Sequence, residues 1–135
     1  MLYQGNLYSW LSLSPSMMSP VQWDRAEWPE GDAEGAPIVY FMEFNAAGEV
    51  LRQVELAGQD EHPIAAASLA EFWEAQGWRV QAATPALLEY QERYGSLADG
   101  TRSYWGPDYP GVAIRREDFE AVWERARAFL SSKTR

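Results

Sequence analysis

The chain has 135 residues and a mass of 15.3 kDa, and 47% of its residues are hydrophobic, so it is read as one domain over residues 1–135 with enough apolar material for a core. Twenty Asp and Glu against eleven Lys and Arg leave a formal charge of −9 and a pI near 4.5, which argues against nucleic acid as a partner and favours a basic protein. An aromatic content of 14% excludes an acidic disordered tail, because disorder needs low hydrophobicity as well as charge.

From Leu2 to Leu13, Leu7, Leu11 and Leu13 alternate with Tyr8, Trp10 and Ser12, the pattern of an opening strand. The stretch from Ser14 to Pro37 carries Pro15, Pro20, Pro29, Pro37, Gly31 and Gly35, which break helix and strand alike, and reads as one long loop. Next comes a hairpin. Ile38, Tyr40, Met42 and Phe44 share one face of its first strand, Val50, Val54 and Leu56 recur with period two in the second, and Ala46-Ala47-Gly48 joins them with Gly in the left-handed position. Glu43 and Glu55 are expected opposite the apolar face as cross-strand neighbours, bridged by Arg52 or a cation.

Gln59 to Pro63 reads as a loop, with His62 exposed beside Asp60 and Glu61. Ser68 followed by Glu71 forms a capping box that opens a helix with Leu69, Phe72 and Trp73 on its buried stripe and Gly77 at its end. Trp78 to Ala83 is a short strand, and Thr84-Pro85 caps a second helix running to Tyr94 and stopped by Gly95. Ser96 to Gly111 is again loop, with Tyr104, Trp105 and Tyr109 embedded in it. The last helix repeats Phe119, Val122, Trp123, Ala126 and Leu130 at helical spacing, with Glu117 and Asp118 in its first turn. The sum is an α+β domain: an antiparallel sheet with about three helices packed mainly on one face.

The chemistry is narrowed by what is missing. Without cysteine there are no disulfides, thiolate nucleophiles or zinc ribbons, and a single histidine excludes paired-His zinc sites. Neither G-x-S-x-G, G-x-G-x-x-G nor G-x-x-x-x-G-K-[ST] occurs, so no nucleophile elbow, dinucleotide turn or P-loop is supported, and no catalytic residue, cofactor or metal is expected. The amino terminus lacks a basic n-region, and Ser9 and Ser12 interrupt its apolar stretch. No secretory signal, membrane span or membrane partner is expected, and the cytoplasm is the expected location.

The charge is not spread evenly. Between Asp24 and Glu61 the net charge is −8, and the remainder of the chain sums to −1. Trp23 and Trp28 are interleaved with Asp24, Glu27, Glu30, Asp32 and Glu34, which combines acids that steer a basic partner with large aromatics of the kind that anchor interfaces. Tyr104, Trp105, Asp108 and Tyr109 form a second loop of this composition. Both sets are expected to bind the partner; the structural alternatives are tryptophans folded back over a sheet face and a packed lid over the core.

The segments Tyr40-Phe41-Met42-Glu43-Phe44, Glu49 to Glu55, and Ala113 to Trp123 with its E-x-F-E-x-x-W helix are similar to an uncharacterised family of small bacterial proteins. The domain as a whole resembles the acidic, cysteine-free immunity proteins that bacteria make against polymorphic or type VI secreted toxins. That resemblance implies a non-enzymatic inhibitor that neutralises a cytoplasm-acting toxin by filling its basic active site or substrate cleft. The alternatives are a small enzyme of unrecognised type and a regulatory or scaffold module, a DNA mimic included. The located charge predicts partner association of nanomolar strength or tighter whose rate falls steeply with added salt in stopped-flow mixing. Joint charge reversal at Glu27, Glu30 and Asp32 is expected to weaken binding and leave thermal unfolding nearly intact; an on-rate indifferent to salt defeats the steering argument.

Overall fold

The computed structural model describes residues 19–28, 37–77 and 84–133. In chain order these form β1 (Gln22–Trp28), β2 (Ile38–Phe44), β3 (Val50–Ala57), β4 (His62–Ser68), α1 (Leu69–Gln76), α2 (Pro85–Tyr94), β5 (Val112–Ile114) and α3 (Arg116–Ser132). The strands make one antiparallel sheet in the order β4-β3-β2-β1-β5, and with the three helices the class is α+β, as expected from the sequence. The strands expected over residues 2–13 and 78–83 lie outside the described residues. Among the described residues no helix is long and apolar enough to cross a membrane.

The β2–β3 hairpin forms where the alternation placed it, and Asn45 organises its turn. The Asn45 side-chain oxygen accepts from the Ala47 and Glu49 amides at 3.0 Å each, and Gly48 takes φ 82°, a conformation that strains any residue with a Cβ. Both expected helix starts also form. Ser68 Oγ accepts from the Glu71 amide at 3.4 Å, and Thr84 Oγ1 accepts from Leu87 at 3.0 Å. The Ser68 box is only half a box: Tyr90 donates its hydroxyl to Glu71 and receives the Ser68 amide, so a tertiary contact replaces the reciprocal bond.

The long loop read from Ser14 to Pro37 is corrected at its centre, where Gln22 to Trp28 form β1, paired with β2 on one side and with β5 on the other. Pro20 and Pro29 bracket this strand rather than break it. The acid at its centre concealed it, because Arg102 and Tyr109, the donors that satisfy Asp24, come from a distant part of the chain. The loop read from Gln59 to Pro63 likewise ends early, since His62 and Pro63 begin β4. This strand continues through Ala65, Ala66 and Ala67, residues of weak strand propensity that burial between neighbouring elements holds in place. The loop expected through Gly111 is succeeded by the short edge strand β5.

Both faces of the sheet are apolar. On the first, Val39, Phe41, Val54, Leu56 and Ala66 pack against Phe119, Ala126 and Leu130 of α3. On the second, Ala26, Met42, Phe44 and Val50 are covered by Leu97, Trp105 and Tyr109 from the segment 95–111, which crosses this face as a strap. A bulge between Glu43 and Phe44 sends Val50 to the second face while Val54 and Leu56 stay on the first, so the three do not share a side as their spacing suggested. The remaining helices brace α3. Arg93 of α2 donates to the Leu130 and Ser131 carbonyls at the end of α3, and Glu71 of α1 pairs with Arg127.

The expectation for Glu43 and Glu55 is also corrected. Glu43 is registered against Arg52 and Glu55 against Tyr40, three positions away on β2, so the two carboxylates point to opposite faces. Glu43, with only 5% of its side chain exposed, accepts from Arg52 Nε and Nη2 at 2.7 Å each. Arg52 also reaches Glu120 on α3 at 2.6 Å, and its guanidinium carbon lies 4.9 Å and 5.0 Å from the Phe119 and Trp123 ring centres. Burial works against the Arg52 charge, but the bonds from Glu43 and Glu120 outweigh it and raise its pKa further. Arg52→Met is therefore expected to lower unfolding free energy by about 3 kcal/mol, since it strands a buried carboxylate. Adding Glu43→Gln should recover much of that loss, a coupling that a double-mutant cycle in urea reads directly.

Candidate functional site: an aromatic cleft beneath the strap

The strap is anchored at three points. The Ala98 amide donates to Gln53 Oε1 at 2.8 Å, the Arg102 amide donates to the Gly48 carbonyl at 2.8 Å, and the hairpin turn pairs with the strap through Glu49 and Thr101. These fixings deliver Arg102 and Tyr109 to Asp24, which has 0% exposure in the middle of the sheet. Arg102 Nε lies 2.7 Å and Tyr109 Oη 2.8 Å from Asp24 Oδ2, while Gln22 Nε2 donates to Oδ1 at 3.0 Å. A carboxylate removed from water needs such compensation. Burial, then the neighbouring Asp24 charge, drives the Tyr109 phenol well above its ordinary pKa, so it remains a donor. Gly111 permits the ring to fold back, because a Cβ there would fall inside it.

Beside this anchor the strap and sheet leave a cleft of about 620 Å³ lined by Trp28, Tyr40, Met42, Ala98, Trp105, Asp108 and Tyr109. Its rings form an arc. Tyr40 and Trp28 meet at 4.9 Å and 85°, Trp28 and Tyr109 at 6.2 Å and 42°, and Tyr109 and Trp105 at 5.1 Å and 58°. Trp105 is locked by its indole donating to the Asp99 carbonyl at 2.8 Å. Glu55 stands across from Tyr40 in the ladder and accepts from Gln53 Nε2 at 2.9 Å. Burial raises the Glu55 carboxyl above the usual range, with Gln53 opposing. Tyr40 is raised in turn by burial and then by the Glu55 charge.

The sequence-derived residues divide among several places. Trp28, Trp105, Asp108 and Tyr109 converge on the cleft, and Tyr104 stands beside them on the strap with 81% exposure. Asp24, expected on a steering surface, is corrected to a buried anchor. Trp23 and Glu27 belong to the opposite face: the Trp23 indole donates to Glu43 at 3.0 Å, and Glu27 pairs with Arg25 at 3.4 Å. Glu30, Asp32 and Glu34 lie outside the described residues. Tyr40 and Met42 were legible as a strand face but not as a cleft floor, Glu55 was read only as a cross-strand neighbour of Glu43, and Ala98 and Arg102 gave no signal. His62 sits outside the cleft, with Nδ1 2.8 Å from Asp60 Oδ1, a bond that holds the Asp60 carboxyl low.

Among the described residues, no three His, Asp or Glu side chains are grouped to hold a metal ion. No family model, curated protein or solved structure matches the chain.

The cleft favours a ligand that is apolar along its length and positive or hydrogen-bonding at its tip, because its rings and Met42 are bordered by the Asp108 carboxylate. The Glu55 carboxyl has a measurable consequence. Its folded pKa lies above the unfolded one, so the unfolded chain ionises first and stability falls as pH rises from the ordinary carboxylate range through the raised value. Glu55→Gln removes this penalty: its unfolding midpoint should exceed wild type at neutral pH, with the difference shrinking at about pH 4. An equal difference at both pH values would assign the effect to packing.

Proposed function

We propose that the protein is an immunity-type inhibitor that binds a cognate, cytoplasm-acting toxin domain and blocks its basic active-site or substrate cleft. The observation that carries this reading is the cleft itself. Trp28 of β1 and Trp105, Asp108 and Tyr109 of the strap, far apart in the chain, meet around one open concavity. Open space walled by rigid aromatics and bordered by acid is the composition of a protein-binding hot spot, where a few anchors carry most of the affinity and charge sets the encounter rate. Asp99, Asp108 and Tyr104 are all exposed along the strap, and they supply a polar rim around the aromatic centre.

A second reading, a small-molecule site or an enzyme of unrecognised type, draws on the volume of about 620 Å³, which suits a small ligand, and on the carboxylate of Asp108 beside two phenols. Against it stands the chemistry available: the Tyr109 hydroxyl is committed to Asp24, and its raised pKa opposes a role as base.

A gene adjacent to the protein's own is expected to encode a toxin with an effector domain, and co-expression with that domain tests the proposal; no such gene beside it overturns the reading. The wild-type chain is expected to restore growth to cells that the effector arrests. Tyr104→Ala with Asp108→Lys, both on exposed side chains, should reduce that protection sharply while leaving the unfolding midpoint nearly unchanged. Failure to protect, or protection undiminished in the double variant, overturns the reading.

A further inference from the structure

Three arginines of this chain are held in one recurring manner. Arg52 lies over Phe119 and Trp123 and pairs with Glu43 and Glu120. Arg127 lies 3.8 Å from the Tyr94 ring centre and 4.5 Å from that of Trp123, and it pairs with Glu71. Arg102 lies 5.7 Å from the Tyr109 ring centre and 6.0 Å from that of Phe44, and it pairs with Asp24. Each site combines ring faces, a carboxylate and a guanidinium, because the ring quadrupole and the anion together compensate a partly desolvated cation.

The cleft has the first two parts. Tyr40, Trp28, Tyr109 and Trp105 provide the rings and Asp108 borders them, while Glu55, outside the lining itself, stands beside Tyr40 in the ladder as a half-buried carboxylate bonded to the neutral amide of Gln53. Among the described residues, no Arg or Lys lines the cleft, and the nearby charge of Arg102 is already matched by Asp24. We propose that the cleft receives an arginine or lysine side chain projecting from the partner protein, with its aliphatic stem over Met42 and Ala98 and its charged head between the rings and the Asp108 carboxylate, within the field of Glu55 beside Tyr40.

The other classes of occupant fit less well. An apolar side chain would desolvate Asp108 without return, and an anion would meet that carboxylate with no Arg or Lys lining the cleft among the described residues. A basic side chain uses both halves of the lining at once, since its stem is apolar and its tip is not. The inference rests on the binding reading given above and names the chemical group through which that binding occurs.

The experiment is a titration of the full chain, labelled with nitrogen-15, with the blocked tripeptide acetyl-Gly-Arg-Gly-amide, read at the indole N–H resonances of Trp28 and Trp105. The neutral isostere acetyl-Gly-citrulline-Gly-amide is the control, and the lysine tripeptide is a third arm. The arginine peptide is expected to shift both resonances, leave that of Trp73 in place, and bind about tenfold more tightly than the citrulline peptide. Asp108→Asn and Glu55→Gln, which preserve size and fold, should each weaken the arginine peptide and leave the citrulline peptide unaffected.

Equal binding of the charged and neutral peptides, or no shift at Trp28 and Trp105, overturns the inference. The growth assay separates the two readings. Protection without arginine binding removes the cation site and leaves the inhibitor; arginine binding without protection removes the inhibitor and leaves the cation site.

Discussion

A fully buried carboxylate in the middle of a sheet is the constraint from which the second face follows. Asp24 has no water to solvate it, so the fold must bring donors to it, and it recruits Arg102 and Tyr109 from the far side of the chain. Their delivery obliges residues 95–111 to run across the sheet. The strap that results covers Met42 and Phe44, orders Trp105, and leaves the cleft beside Trp28. One polar burial thus positions the aromatic surface, an arrangement in which electrostatics decides where apolar groups go.

The first face is solved differently but by related means. There, α3 supplies ordinary apolar packing through Phe119, Ala126 and Leu130, while Arg52 and Arg127 seal its margins between rings and carboxylates. Glu71 shows the balance of forces at such a margin. Burial alone would raise its carboxyl, yet hydrogen bonds from Arg127 and Tyr90 bring it below the ordinary value. The acidic surplus of the composition is therefore partly an internal resource, since Asp24, Glu43 and Glu71 are engaged in holding the fold.

That finding reshapes the meaning of the −8 located between Asp24 and Glu61. A count of charges cannot distinguish an acid facing a partner from one facing an internal arginine. Trp23 and Trp28 illustrate the same limit on the aromatic side. Both belong to β1, five residues apart, and an odd separation on a strand places them on opposite faces: Trp23 serves Glu43, and Trp28 serves the cleft.

Local chemistry made much of the fold legible in the sequence. The β2 alternation and the glycine turn that follows it, the Ser68 and Thr84 caps, the glycine stops at Gly77 and Gly95, and the apolar stripe of α3 all depend on neighbours a few residues away, and all appear where their patterns put them. What only the tertiary structure decided was everything satisfied over distance: β1 built around the buried Asp24, the alanine strand β4, the bulge that turns Val50, the parting of Glu43 from Glu55, and the meeting of Trp28 with Trp105 and Tyr109. The physical reason is common to these cases. A hydrogen-bonded turn or an amphipathic stripe is encoded by spacing along the chain, whereas a buried charge and the cleft it organises depend on partners tens of residues away, for which a linear pattern holds no spacing to read.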